Sequence, residues 1–139
     1  MAVYNKFQVF TEDLIEGVHD FDAHTFKLLL TNTAPVATNT VRANLTEISA
    51  GNGYVAGGPT VTVTTSRTGG TTRISGTDVT ISATGAIGPF RYVVFYNDTP
   101  TSPADPLIAW WDYGSSLTLA NGETFTVDFD ATNGIAQLT

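Results

Sequence analysis

The sequence predicts an all-β fold: a single antiparallel β-sandwich or jelly roll of about eight strands with one short N-terminal helix. Three observations predict it. Composition comes first, because 24 Thr and 13 Gly among 139 residues, with frequent Val, favour short strands joined by tight turns. Periodicity is the second: runs such as Thr60-Val-Thr-Val-Thr and Thr124-Phe-Thr-Val-Asp-Phe-Asp alternate apolar and polar residues, as half-buried strands do. The third is a dense apolar stretch, Gly88-Pro-Phe-Arg-Tyr-Val-Val-Phe-Tyr-Asn-Asp and then Leu107-Ile-Ala-Trp-Trp-Asp-Tyr-Gly, which holds seven of the fifteen aromatic residues in two runs of strand length. A chain of this size buries about two thirds of its extended surface in one core. Residues 1–139 therefore read as one domain, with residues 1–22 as an N-terminal helix or arm and residues 25–139 as the sandwich.

Taken in order, residues 4–17 predict the helix, since Val3, Phe7, Phe10, Leu14 and Val18 recur at spacings of four and three and Gly17 supplies a stop. Glu12, Asp13 and Glu16 sit near its C-terminal end, where the macrodipole disfavours them. Residues 25–31 predict the first strand, closed at Asn32-Thr-Ala-Pro35. Residues 40–48 allow one or two helical turns, and the four glycines around Tyr54 form a loop that leads through Pro59 into a strand rather than a phosphate-cradling helix. Val61 and Val63 open a hairpin that turns at Gly69-Gly70, and residues 78–84 alternate again.

Both faces are apolar in residues 90–96, with Phe90, Tyr92, Val94 and Tyr96 expected on one side and Val93 and Phe95 on the other. Three prolines, Pro100, Pro103 and Pro106, then impose an exposed extended loop over residues 98–106, the best candidate for a surface that meets a partner. Residues 107–113 pair back antiparallel, and Ala120-Asn-Gly-Glu123 is a hairpin turn signal before the strand of residues 124–130, with Phe125, Val127 and Phe129 inward. A last turn at Asn133-Gly134 introduces a final short strand, for eight or nine in all.

Six basic against thirteen acidic residues give a net charge of −7, which argues against direct contact with nucleic acid. No apolar run is long enough to span a membrane, and the N-terminus lacks the pattern of a secretory signal. Cysteine is absent, which removes disulfides and thiolate metal sites.

Chemistry has two places to gather. In extended chain Asp20, Asp22 and His24 share one side and could approach a metal ion, though a polar link between helix and strand explains them as well. Asp128 and Asp130 open a stretch similar to a Ca²⁺ loop, but Asn133 is out of step and the distal Glu is missing. No metal or cofactor is assigned on this reading, nor any catalytic residue. Trp110 and Trp111, adjacent in a strand, must point to opposite faces, so one is covered by the N-terminal segment or a loop, or else forms an interface or a sugar-stacking platform.

Leu30-Thr-Asn-Thr-Ala-Pro-Val-Ala-Thr-Asn-Thr-Val, Ala50-Gly-Asn-Gly-Tyr-Val-Ala-Gly-Gly, Gly88-Pro-Phe-Arg-Tyr-Val-Val-Phe-Tyr-Asn-Asp-Thr, Ala109-Trp-Trp-Asp-Tyr-Gly-Ser-Ser and the closing Leu-Ala-Asn-Gly-Glu-Thr-Phe-Thr-Val-Asp-Phe-Asp pattern resemble a family of small virion-associated proteins of tailed bacteriophages. The likeness runs from Tyr4 to Leu138. It implies a non-enzymatic structural protein of the virion, a head decoration or cement protein that binds the major capsid protein or other virion subunits and repeats as a homo-oligomer. A tail, collar or fibre component acting as a receptor- or carbohydrate-binding module is the alternative. With that role, Phe7, Phe10 and Leu14 of the N-terminal stripe, the loop prolines and an outward Trp are the expected partner contacts. Deleting residues 1–17 is then expected to abolish attachment and leave a folded domain.

Overall fold

The computed structural model describes residues 2–139; Met1, the first residue of the expected arm, lies outside the described residues. The chain is an antiparallel all-β sandwich with one short helix, built in the order β1 (Val3–Lys6), α1 (Val9–Ile15), β2 (Phe26–Thr31), a 3-10 turn (Arg42–Asn44), β3 (Thr60–Val61), β4 (Val63–Thr68), β5 (Thr71–Gly76), β6 (Val79–Ser82), β7 (Ile87–Asn97), β8 (Leu107–Leu119), β9 (Thr124–Val127) and β10 (Ala136–Leu138). One layer is a five-stranded sheet in the order β1-β8-β7-β2-β3. Facing it are a three-stranded sheet, β10-β5-β4, and a two-stranded one, β6-β9. No described helix is long and apolar enough to cross a membrane.

The two apolar runs that dominate the sequence are the two longest strands and pair with one another, as their length and composition predict. Between the layers, Phe26, Leu28 and Leu30 of β2 with Val93 and Phe95 of β7 meet Ile74, Val79, Ile81, Phe129 and Ile135. The opposite face of the same sheet is also buried: Leu29, Val94, Tyr96 and Leu107 form a second cluster closed by Phe7, with Val9, Leu45 and Trp110 packed against it. That explains why β2 reads Phe-Lys-Leu-Leu-Leu-Thr rather than as a clean alternation, since both of its faces lie in apolar surroundings.

Six expectations are corrected. The helix predicted over residues 4–17 is split, because Val3–Lys6 pairs with β8 and only Val9–Ile15 is helical. Phe7 joins the outer cluster while Phe10 and Leu14 join the inner one, so the stripe straddles the sheet edge instead of lining one helix face. Phe7 and Phe10 are core residues, and the N-terminal segment is therefore no detachable arm. Phe90 lies in the same cluster as Val93 and Phe95, because irregular pairing between Phe90 and Tyr92 flips it out of phase. The turn at residues 120–123 forms, with Glu123 N–H donating to the Ala120 carbonyl at 3.0 Å, but β9 crosses to pair with β6 rather than folding back on β8. Ten strands result instead of eight or nine.

One polar clasp ties residues 42–57 across the outer face. The Glu47 carboxylate accepts from Arg42 Nη2 at 2.9 Å, from Tyr54 Oη at 2.8 Å and from Gly57 N–H at 2.5 Å, and Tyr96 Oη donates to the Gly57 carbonyl at 2.6 Å. Burial alone would raise the Glu47 pKa; the hydrogen bonds from Arg42, Tyr54 and Gly57 outweigh it and hold the group below its ordinary value. Gly58 closes the same loop at φ +84°, where a Cβ would fall on the Leu28 carbonyl.

Candidate functional site

Adjacent positions on β8 place Trp110 and Trp111 on opposite faces. Trp110 packs on Phe7 with ring centroids 4.5 Å apart, so the chain's own N-terminal segment covers it. Trp111 instead faces an open cleft of ≈ 580 Å³ at the side of the sandwich, between the β1–β8 edge and the segment that follows β9. Five rings line it: Tyr4, Trp111, Tyr113, Phe125 and Phe129. They meet edge to face, with centroids 5.9 Å apart for Tyr4 and Trp111, 5.9 Å for Trp111 and Phe129, and 5.8 Å for Tyr113 and Phe125. Such a volume suits a drug-sized ligand or a partner side chain.

Asp128 and Asp130 line this cleft as well. Asp130 is bound into its own turn: Oδ1 accepts from Thr132 N–H at 2.8 Å and Asn133 N–H at 2.9 Å, and Oδ2 from Asn133 Nδ2 at 2.9 Å. Those bonds, Asn133 first, hold its pKa below the ordinary carboxylate range, so the group is a fixed negative charge. The lining contains two carboxylates and no basic side chain. Sequence reasoning found these acids but missed Tyr4, Tyr113 and the two phenylalanines as a shared surface. The signal was the inward alternation of Phe125, Val127 and Phe129; what it could not show is that the sheet opposite stops short of covering them.

The histidine cluster is organised otherwise. Asp20 Oδ1 accepts from Asp22 N–H at 3.0 Å and Ala23 N–H at 3.2 Å, which folds the link into a turn. His24 Nδ1 and His19 Nδ1 both accept from the Asn97 amide, at 2.9 and 3.1 Å. The amide is oriented by its other end, where Thr99 N–H donates to Oδ1 at 3.2 Å, so both Nδ1 atoms accept, and the neutral His19 ring carries its proton on Nε2, which is buried without a partner. Asp20, Asp22 and His24 do not converge, and no group of three or more metal-ligating side chains occurs among the described residues. His19 is buried against Phe10 and Phe21, and burial, with His24 nearby, depresses its pKa to about 4.

The proline loop is tied down at its base by hydrogen bonds. Asp105 N–H donates to the Pro100 carbonyl at 3.2 Å, Arg42 N–H to the Asp105 carbonyl at 3.0 Å, and Asn97 N–H to the Pro106 carbonyl at 3.1 Å. Pro106 is buried, Pro100 half-buried and Pro103 exposed, leaving residues 101–104 as a presented tip. Of the predicted partner contacts, Phe7, Phe10 and Pro106 are thus consumed by the chain's own packing, and Leu14 and Trp110 are half covered. Pro103 is exposed, and Trp111, half-buried like Trp110, lines the open cleft. No protein-family model, curated protein or solved structure matches the chain.

Proposed function

We propose that this chain is a non-enzymatic structural component of a tailed phage particle, a head decoration or cement protein seated on the major capsid protein. The observation that carries this reading is the proline loop. Its exposed tip is held at the end of the two longest strands by hydrogen bonds to Pro100, Asp105 and Pro106, so a partner would meet a surface already in shape and association would spend little ordering entropy. The sequence likeness to virion proteins supports the same reading, as does an acidic chain with pI ≈ 4.4, which opposes non-specific binding to the genome. Electron microscopy of particles assembled with and without this chain tests it. Regular density on the head surface, lost when residues 101–104 are replaced by glycines, is the expected result; particles unchanged by its absence would refute it.

The aromatic cleft favours a second reading, a receptor- or carbohydrate-binding module on a tail, collar or fibre, because Trp111 and its neighbouring rings offer faces on which a sugar could stack. Glycan-array binding that disappears in Trp111→Ala, with density at the tail, would select it.

A further inference from the structure

We infer that the free edge of β1 is a self-complementary pairing surface: a second copy adds its own β1 antiparallel and lays its Lys6 at the acidic side of the aromatic cleft. β1 ends the five-stranded sheet and pairs only with β8. Phe7 N–H donates to the Ile108 carbonyl at 3.0 Å, in phase with the pairing of Lys6 and Ala109. In an antiparallel ladder the direction of these groups alternates, so Val3, Asn5 and Phe7 turn theirs toward β8 and Ala2, Tyr4 and Lys6 turn theirs away. Gln8, next in the outward set, is taken by the Ala37 carbonyl at 2.9 Å, which ends the free stretch at Lys6.

That parity restricts how a second β1 can add. Outward residues must oppose outward residues, and the register that uses all three sets Tyr4 opposite Tyr4 on the two-fold axis, with Ala2 opposite the second copy's Lys6 and the reverse. Opposed residues share a face. Tyr4 packs on Trp111, and Ala2 and Tyr4 both line the cleft, so the incoming Lys6 emerges on the cleft side, toward Asp128 and Asp130. Lys6 has no ion-pair partner among the described residues, in common with Arg67 and Arg73, whereas Lys27, Arg42 and Arg91 are each paired within the chain; Arg73 already acts on Asp130, which leaves Asp128 for the incoming Lys6. Two chains of net charge −7 repel, and this contact sets a cation of each against carboxylates of the other, twice per dimer. The longer free edge, β4, carries Thr, Ser and Arg and borders no comparable acidic cleft.

The purified chain, without particles, tests this separately from its place on a virion. Sedimentation equilibrium should give a dimer of the 14.7 kDa chain; a monomer at every concentration overturns the inference. Because the protein has no cysteine, single-cysteine variants read the register directly. Opposed Cα atoms of a hydrogen-bonded pair lie about 5.5 Å apart, within disulfide range, so Tyr4→Cys should oxidise to a covalent dimer while Val3→Cys and Asn5→Cys stay monomeric in a denaturing gel. Preferential cross-linking at either control position refutes the register. Lys6→Glu and Asp128→Lys should each raise the dissociation constant about tenfold or more, and the double variant should restore it. Charge variants that leave the dimer unchanged, or a double variant no tighter than the singles, exclude the Lys6 contact.

Discussion

Trp110 and Trp111 are neighbours in sequence, yet the two sides of the sheet they face are finished differently. On the Trp110 side the chain supplies its own cover, with Phe7 against the ring and the Glu47 clasp across the loop above Tyr96. On the Trp111 side the rings of Tyr4, Tyr113 and Phe125 gather around the buried Phe129 and stay partly open, beside a strand edge with free backbone groups. The first arrangement converts aromatic area into stability. The second leaves part of it facing the cleft, where Tyr113 is 52% exposed.

The comparison breaks first at Phe7. It is fully buried and closes the outer cluster, so Phe7→Ala should cost about 3–5 kcal/mol, a large share of the roughly 5–15 kcal/mol typical of a domain. Urea unfolding followed by tryptophan fluorescence measures it. A loss well under this range would mean that the N-terminal segment is an applied strap rather than part of the core.

Next in size is a pH effect seated at the end of β7. The folded-state pKa of His19 is depressed from 6.5 to about 4, so the neutral imidazole is the form the fold prefers. Its contribution is therefore fully present above pH 6.5 and is lost as pH falls toward 4; at about 1.4 kcal/mol per unit the whole window is worth about 3 kcal/mol. Protonation of His19 at Nδ1 would also displace the Asn97 amide N–H that it accepts. Thermal midpoints measured from pH 7 down to 4.5 should fall, and His19→Gln should flatten the curve. Parallel curves for the two proteins would exclude His19 as the cause.

Glu47→Gln comes third. It keeps the shape but removes the charge that accepts from Arg42, Tyr54 and Gly57, and a cost of about 2 kcal/mol follows from charge-assisted hydrogen bonds of this kind. The denaturation midpoint should shift without a change in slope.

Much of this architecture was legible in the sequence. Alternation at Val61 and Val63, at Val79 and Ile81 and at Phe125 and Val127 identified strands because a half-buried strand leaves a two-residue period whatever it pairs with. Pairing partners left no such trace, so the Asn-Gly turn at residues 121–122 was read as a hairpin although β9 joins β6. Phe90 could not be placed because bulges carry no reliable sequence mark and each reverses the parity. At the N-terminus the spacing of Phe7, Phe10 and Leu14 satisfied a helical stripe, while the β propensity of Val3 and Tyr4 argued for a strand; the edge of β8, which only the fold creates, decided between them. The cleft was least visible. Its rings come from β1, β8, β9 and the segment after β9, and the property that matters, that all but Phe129 stay partly open, belongs to no single residue.

The smallest expected effect is the most diagnostic of the contrast between the two sides. Trp111 touches Phe129 and Tyr4 but opens onto the cleft, so truncating it leaves a surface concavity that water can enter rather than a sealed void. The cavity cost that makes a buried Trp→Ala expensive is largely absent there, and Trp111→Ala should cost about 1–2 kcal/mol, below the cost of Phe7→Ala. If Tyr4 holds the β1 edge against β8 partly through this ring, the same variant should also raise amide exchange along residues 3–6 while leaving β2 and β7 protected. A loss as large as that of Phe7→Ala would show that the cleft side is a closed part of the core. With a small loss and a frayed β1, the open side is a surface whose stability is completed by what binds to it.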